Sequence, residues 1–216
     1  HIYTWTGNYL GVCAPGGDPA YSSACNDKLV GAYTYTKDSE TLTPEDSEGH
    51  GSHTASTVAG NTVAATFNGI GATISGMAPH AQIIAYDVCY SAGCQSSDSI
   101  AAVQQAIEDG VDVINYSISG GEDPYNDLVE LAFLEATAAG IVVSTSAGNE
   151  GPTEATVAHR SPWVLSTAAS SHNRRFTNFV DFSNPSYTHI LTLAGEKPFL
   201  TNLTDKPIIF AGENSG

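Results

Sequence analysis

The sequence predicts an α/β protein: a parallel sheet in three layers, with helices on both faces. Three observations predict it. Short apolar runs rich in β-branched residues alternate with stretches of helical period, the connections between them are brief, and glycine stands just past the end of two helical stretches. A strand–helix–strand succession with such short links implies right-handed crossovers and a parallel sheet covered on both sides.

The elements follow in order. Leu29 to Tyr35 (LVGAYTY) reads as a strand and leads into a loop rich in Asp, Glu, Ser and Thr. From His50 to about Ala65 the residues are small and free of proline, which predicts a buried helix. Residues 81–90 (AQIIAYDVCY) have a β-branched and aromatic centre and read as a strand. Ser97 or Asp98 then caps a helix in which Ile100, Val103 and Ile107 recur at helical spacing, and Gly110 ends it. Residues 111–119 (VDVINYSIS) form a strand whose apolar run predicts burial on both faces. Asn126 or Asp127 opens the helix LVELAFLEATAA, Gly140 closes it, and strands are expected at 141–148 and within 163–169. After Arg175 aromatic and polar residues alternate without a helical signal, which marks the β-like opening of a separate module. The expected division is residues 1–180 and 181–216, with the boundary near 180.

Composition bounds the function. The 216 residues (22.5 kDa) suit one domain, or one domain and part of another, and 41% hydrophobic residues supply a core and exclude disorder. Asp and Glu number 23 against 7 Lys and Arg, for a net charge of −16. Such a surface repels phosphate backbones and anionic headgroups, so neither nucleic acid nor a membrane surface is an expected partner. The apolar runs are too short to span a bilayer. His1 is preceded by no initiator methionine or apolar leader, and the chain reads as a processed or excised piece of something longer.

Cysteines stand at 13, 25, 89 and 94, and four allow three pairings. Proximity favours Cys13–Cys25 and Cys89–Cys94, each closing a short loop worth about 2–3 kcal/mol; four buried thiols are the alternative. The spacing is not that of a zinc site. Two local disulfides imply an oxidising compartment, hence a secreted or extracellular protein.

In open α/β sheets function collects at the carboxyl ends of the strands. Three polar, glycine-flanked segments follow strands here: EGHGSHTAST, NYSISGG and SAGNEGP. His50, between Gly49 and Gly51 at a helix start, suits a general base, because the positive end of the helix keeps an imidazole neutral. A lone histidine there is more often a helix cap or a satisfied core histidine. His53 lies one turn on, but the pair lacks the H-E-x-x-H pattern, so no metal is expected. Asn149 ends a strand, where its side-chain amide is placed to donate to a developing oxyanion, an interaction worth about 3–4 kcal/mol in acyl transfer. Taken alone, it also suits a turn.

Together, GHGSHTASTVAGN, NYSISGG and SAGNEGP, in this order, resemble the histidine, substrate-edge and oxyanion segments of the subtilisin-like serine proteases. The resemblance runs from about Leu10 to Arg175. The cysteine contexts WTGNYLGVCAPGG and YDVCYSAGCQSSDSIAA resemble the cucumisin-like type, which carries a protease-associated (PA) domain between the oxyanion asparagine and the catalytic serine. The resemblance implies a subtilisin-like fold, with the tail from roughly Asn184 opening that insert. It implies that His50 is the catalytic base, that His53 is structural and packed beneath it, and that Asn149 is the oxyanion residue. It further implies that Ser117, Ile118, Ser119 and Gly120 form the edge along which an extended peptide adds as a strand. Ser146, Ala147 and Gly148 would form the opposite wall of the S1 pocket, the subsite for the residue before the scissile bond. Ser119 stands where many relatives have glycine, and its side chain crowds that entrance.

Two family segments do not occur in the chain. No D-[ST]-G precedes His50, Asp18 and Asp46 having neither strand nor motif, and there is no G-T-S-M-[AS]; Ser52, Ser117 and Ser146 are not in such a motif. The leading expectation is therefore part of a secreted endopeptidase whose Ser and Asp come from segments outside residues 1–216, with a peptide or protein as substrate and no cofactor. A non-catalytic peptide-binding module or autolysis fragment is the alternative, and a His50/His53 metallohydrolase ranks third. Calcium is not expected. Of the two glycosylation sequons, Asn115 falls in a strand expected to be buried and Asn202 in a looser segment. The Arg174–Arg175 pair reads as a solvated turn. A piece of this kind leaves sheet edge and apolar faces uncovered.

Overall fold

The computed structural model describes residues 4–35, 43–67, 69–90, 93–171, 173, 177–184 and 187–196. Asn202, Arg174, Arg175 and all of 197–216 lie outside the described residues. Two compact units form, one from His1–Thr62 with Ser75–Ser170, the other from Val63–Ile74 with Ser171–Gly216.

In chain order the elements are β1 (Leu10–Gly11), α1 (Pro19–Ser22), β2 (Leu29–Thr34), α2 (His50–Ala59), β3 (Val63–Phe67), β4 (Ile70–Ile74), β5 (Ile83–Asp87), β6 (Cys89–Tyr90) and β7 (Gly93–Cys94). They continue as α3 (Ser96–Asp109), β8 (Val113–Tyr116), α4 (Leu128–Ala138), β9 (Val142–Ser146), β10 (Leu165–Thr167), β11 (Thr177–Asn184) and β12 (Tyr187–Glu196). In the first unit β1, β2 and β5 form one parallel sheet and β8, β9 and β10 another. Parallel sheets alternating with helices are the α/β architecture that the sequence predicts. In the second unit β3 pairs with β4, and β11 with β12, both antiparallel.

Helix α2 is shorter than its composition suggests, because the residues from Val63 onward pair as a hairpin instead. Its last carbonyls are satisfied from outside: the amides of Gly76, Met77 and Ala78 donate to the carbonyls of Gly60, Thr57 and Val58. That approach requires glycine at 76, since a Cβ there would stand 2.7 Å from the Ser56 carbonyl oxygen and 2.8 Å from the Ala59 nitrogen. Helix α3 starts one turn's edge earlier than expected, with Gln95 at its cap position and Ser97 and Asp98 inside the first turn, where the Asp98 charge suits the helix dipole. Asp127 caps α4 as expected, accepting from the amides of Val129 (2.8 Å) and Glu130 (3.2 Å).

Helices α3 and α4 pack on one face of the second sheet. Val103, Val129, Ala132, Phe133, Ala136, Ile141 and Val143 form the core, with Ile114 and Tyr116 of β8 against them. The alternation of a strand turns the neighbouring residues the other way, and Val113 is 57% exposed, Val142 54% and Leu165 61%. Burial of β8 on both faces is therefore corrected: among the described residues its outer face is open, and Asn115 on it is exposed. The first sheet is tied to α3 through Asp109, whose carboxylate accepts from the hydroxyls of Tyr33 (3.0 Å) and Tyr86 (2.6 Å). Burial, with this hydrogen bond, raises the Tyr33 hydroxyl to about 12. The disulfides are Cys13–Cys25 and Cys89–Cys94, as proximity favoured.

Candidate active site

His50 opens α2 and is exposed, its backbone amide donating to the Glu48 carboxylate at 3.1 Å. Asp46 holds the start of this helix. One carboxylate oxygen accepts from the amides of Gly49 (2.7 Å) and Glu48 (3.1 Å), and the other from that of Ser52 (2.7 Å). These bonds, led by the one from Gly49, hold its carboxyl well below the usual carboxylate range. Both oxygens are occupied with backbone, so Asp46 serves the helix that carries His50. Among the described residues His53 is exposed rather than packed beneath His50, and its backbone amide donates to the Gly49 carbonyl at 3.0 Å.

The depressed Asp46 carboxyl makes a pH prediction. A folded-state value below the unfolded 3.8 means that its contribution is complete above about pH 5 and is lost as pH falls through the depressed value. Asp46→Asn is expected to lower stability by about 1 kcal/mol at neutral pH, the scale of a charge-assisted hydrogen bond lost at an exposed site. Melting curves across pH should show the gap closing in strong acid; a gap that stays constant would remove the charge from the explanation.

The parallel pairing of β8 with β9, Tyr116 opposite Thr145, sends residues 117–120 and 146–149 out at the same end of the sheet. There the Ser119 Oγ lies 3.8 Å from where a Cβ on Gly148 would stand. The structure thus brings the expected substrate edge beside the expected opposite wall. Asn149 is exposed just past β9. Among the described residues no hydrogen bond joins His50 or Asn149 to either segment, and no three His, Cys, Asp or Glu side chains gather as a metal site.

Behind the substrate edge lies a buried polar group that the sequence reading missed. Glu130 of α4 is 0% exposed and His159 2% exposed. The Glu130 Oε1 is 2.5 Å from His159 Nδ1, while His159 Nε2 donates to the Ile118 carbonyl at 2.6 Å. The other Glu130 oxygen accepts from the Ser161 hydroxyl, and the Glu130 carbonyl accepts from the Trp163 indole at 2.8 Å. An acceptor at each ring nitrogen calls for a hydrogen on both, the imidazolium form. Burial by itself would lower the His159 pKa, but the Glu130 carboxylate and the Ile118 carbonyl overcome it and the value is raised. Gly121 lies against the pair, and a Cβ there would stand 2.6 Å from His159 Nδ1. A signal for this group exists in the sequence: of the two glutamates in LVELAFLEA, Glu130 stands three before Phe133, on the same helix face.

Comparison with known proteins agrees with the motifs. The profile of the Subtilase family matches residues 14–207. Subtilisin-like protease SBT1.4 of Arabidopsis thaliana is 39% identical over 213 residues, covering 89% of this chain and 27% of the relative. Subtilisin-like protease SBT4.3 of the same plant is 43% identical over 195 residues, covering 88% and 26%. The chain therefore spans about a quarter of the length of these relatives.

Proposed function

This chain belongs to the subtilase family, and from that premise we propose that it is part of a secreted endopeptidase that hydrolyses peptide bonds through an acyl-enzyme. The observation that carries the reading is the meeting of the 117–120 and 146–148 segments at one end of the parallel sheet, Ser119 beside Gly148. An extended peptide adds along Ser117–Gly120, and Ser146, Ala147 and Gly148 wall its S1 residue. His50 takes the proton from a serine hydroxyl supplied by another segment of the full protease and returns it to the leaving amine. The Asn149 amide donates to the tetrahedral oxyanion. An aspartate, also from outside residues 1–216, orients the imidazole.

Those outside segments are this chain's closest partners, and the open apolar face carrying Val113, Val142 and Leu165 supports that reading. The two disulfides support an oxidising compartment. Residues 181–216 are the start of a PA-like insert in this reading. Because residues 1–216 contain neither G-T-S-M nor D-[ST]-G, the second reading is a peptide-binding module or autolysis fragment without chemistry.

The test is intact mass of the natural protein before and after a fluorophosphonate probe. A species much larger than 22.5 kDa that gains one probe is the expected result. A 22.5 kDa species that gains none overturns the catalytic reading in favour of the second.

A further inference from the structure

We propose that His159, set by Glu130, is a positioning residue for the substrate edge, holding it in the form that accepts an extended peptide while taking no part in the chemistry. The proposal rests on the peptide-binding reading of residues 117–120. His159 engages this edge twice, by Nε2 to the Ile118 carbonyl at 2.6 Å and by its own amide to the Gly120 carbonyl at 2.8 Å. The next amide, of Arg160, donates to the Gly121 carbonyl at 3.1 Å, and the previous one, of Ala158, to the Ala147 carbonyl at 3.0 Å. Three consecutive residues therefore fix both walls of the slot.

The direction of these bonds matters. Carbonyls of an extended stretch alternate in direction. His159 takes the carbonyls of 118 and 120, and those of 117 and 119 are left for an added strand to find. An untethered edge could rotate and present the wrong set. His159 does this from a left-handed backbone conformation, φ 52°, that a residue other than glycine adopts only at a cost. The imidazole is packed on all sides: Tyr116 and Phe133 meet it edge-on at 5.5 and 6.1 Å, and Glu130 fixes Nδ1 at 2.5 Å. The loop before it is laced by Arg160, whose Nε and terminal nitrogen donate to the carbonyls of Val157 and Ala155, both at 2.8 Å.

The experiment uses the full-length protease and the variants His159→Phe, Glu130→Gln and Ser161→Ala, with rates expressed per fluorophosphonate-titrated site so that only folded enzyme counts. Two substrates share one P1 residue, chosen by a scan: a tetrapeptide p-nitroanilide that lies along the edge and an acetyl amino-acid ethyl ester that occupies S1 alone. His159→Phe is expected to raise KM for the tetrapeptide about tenfold while the ester KM and both kcat values stay within about twofold. Glu130→Gln, which keeps an acceptor for Nδ1, should raise it about threefold. Equal changes for both substrates, a fall confined to kcat, or no change overturns the proposal. If His159→Phe gives no folded enzyme, the two milder variants decide by the same criterion. The affinity of a fluorescein-labelled octapeptide, measured in a His50→Ala background, separates the two readings. A wild type that takes no probe ends the catalytic reading, whereas octapeptide affinity that falls about tenfold with His159→Phe still supports positioning, and unchanged affinity overturns it.

Discussion

His50→Ala in the full-length protease is expected to lower kcat for peptide hydrolysis by about 10⁶ and to leave the melting temperature unchanged. The first half follows from the proposed chemistry: without a base the serine hydroxyl keeps its proton, and removing a triad histidine costs about that much. The second half follows from the structure. The His50 ring is exposed, and the bond from the His50 backbone amide to Glu48 is one that alanine retains. Alanine is also the better helix former. Asp46 continues to hold the helix start through the amides of Glu48, Gly49 and Ser52. His53→Ala, one turn on and exposed, should change kcat less than tenfold. Equal loss from both histidines would favour a metal-based hydrolase, in which the two act as ligands. Residual activity within tenfold of wild type for His50→Ala would place the base elsewhere.

What the sequence made legible was contiguous. GHGSHT, NYSISGG and SAGNEGP are short runs whose glycines and polar residues sit together in the chain, so the candidate site could be read directly. The helix starts and stops at Asp127 and Gly110 were equally local. What could not be read was made by distance. Glu130 and His159 are 29 residues apart, His159 and Ile118 are 41 apart, and no periodicity links a helix to a loop residue across such a gap. Val113 fails for a different reason. An apolar run implies a cover on both faces, but it does not say which segment supplies the cover, and α3 and α4 supply one face only. Asp46 matches no catalytic motif, but a turn carboxylate before a helix is a holder of backbone amides. His53 was assigned inward by resemblance, and the exposure of α2 on that side places it outward.

Glu130→Ala is expected to destabilise the fold by about 3–5 kcal/mol, the loss that follows when one member of a buried ionic pair is removed. It strips His159 Nδ1 and the Ser161 hydroxyl of their acceptor at once, in a site where Glu130 is 0% and His159 2% exposed. For a body of this size that is a fall in melting temperature of about 10 °C, best measured in the His50→Ala background so that unfolding is not followed by self-digestion. The sign of the pH dependence is fixed by His159. Its folded value is raised above the unfolded 6.5, so its contribution is complete below that value and is lost as pH rises through the raised one. The charges that face it are Glu130 of α4 and Asp127 at that helix's cap, with the Tyr116 ring of β8 edge-on to the imidazole. The gap between wild type and Glu130→Ala should therefore be widest below pH 6.5 and narrow as pH rises through the raised value, because a neutral His159 can still donate from Nε2 to the Ile118 carbonyl. Glu130→Leu combined with His159→Phe should recover much of the loss, since removing both partners leaves no unpaired charge. A fall below about 2 °C at pH 6, or a double variant as unstable as the sum of its singles, would mean that the pair is not coupled as its geometry implies.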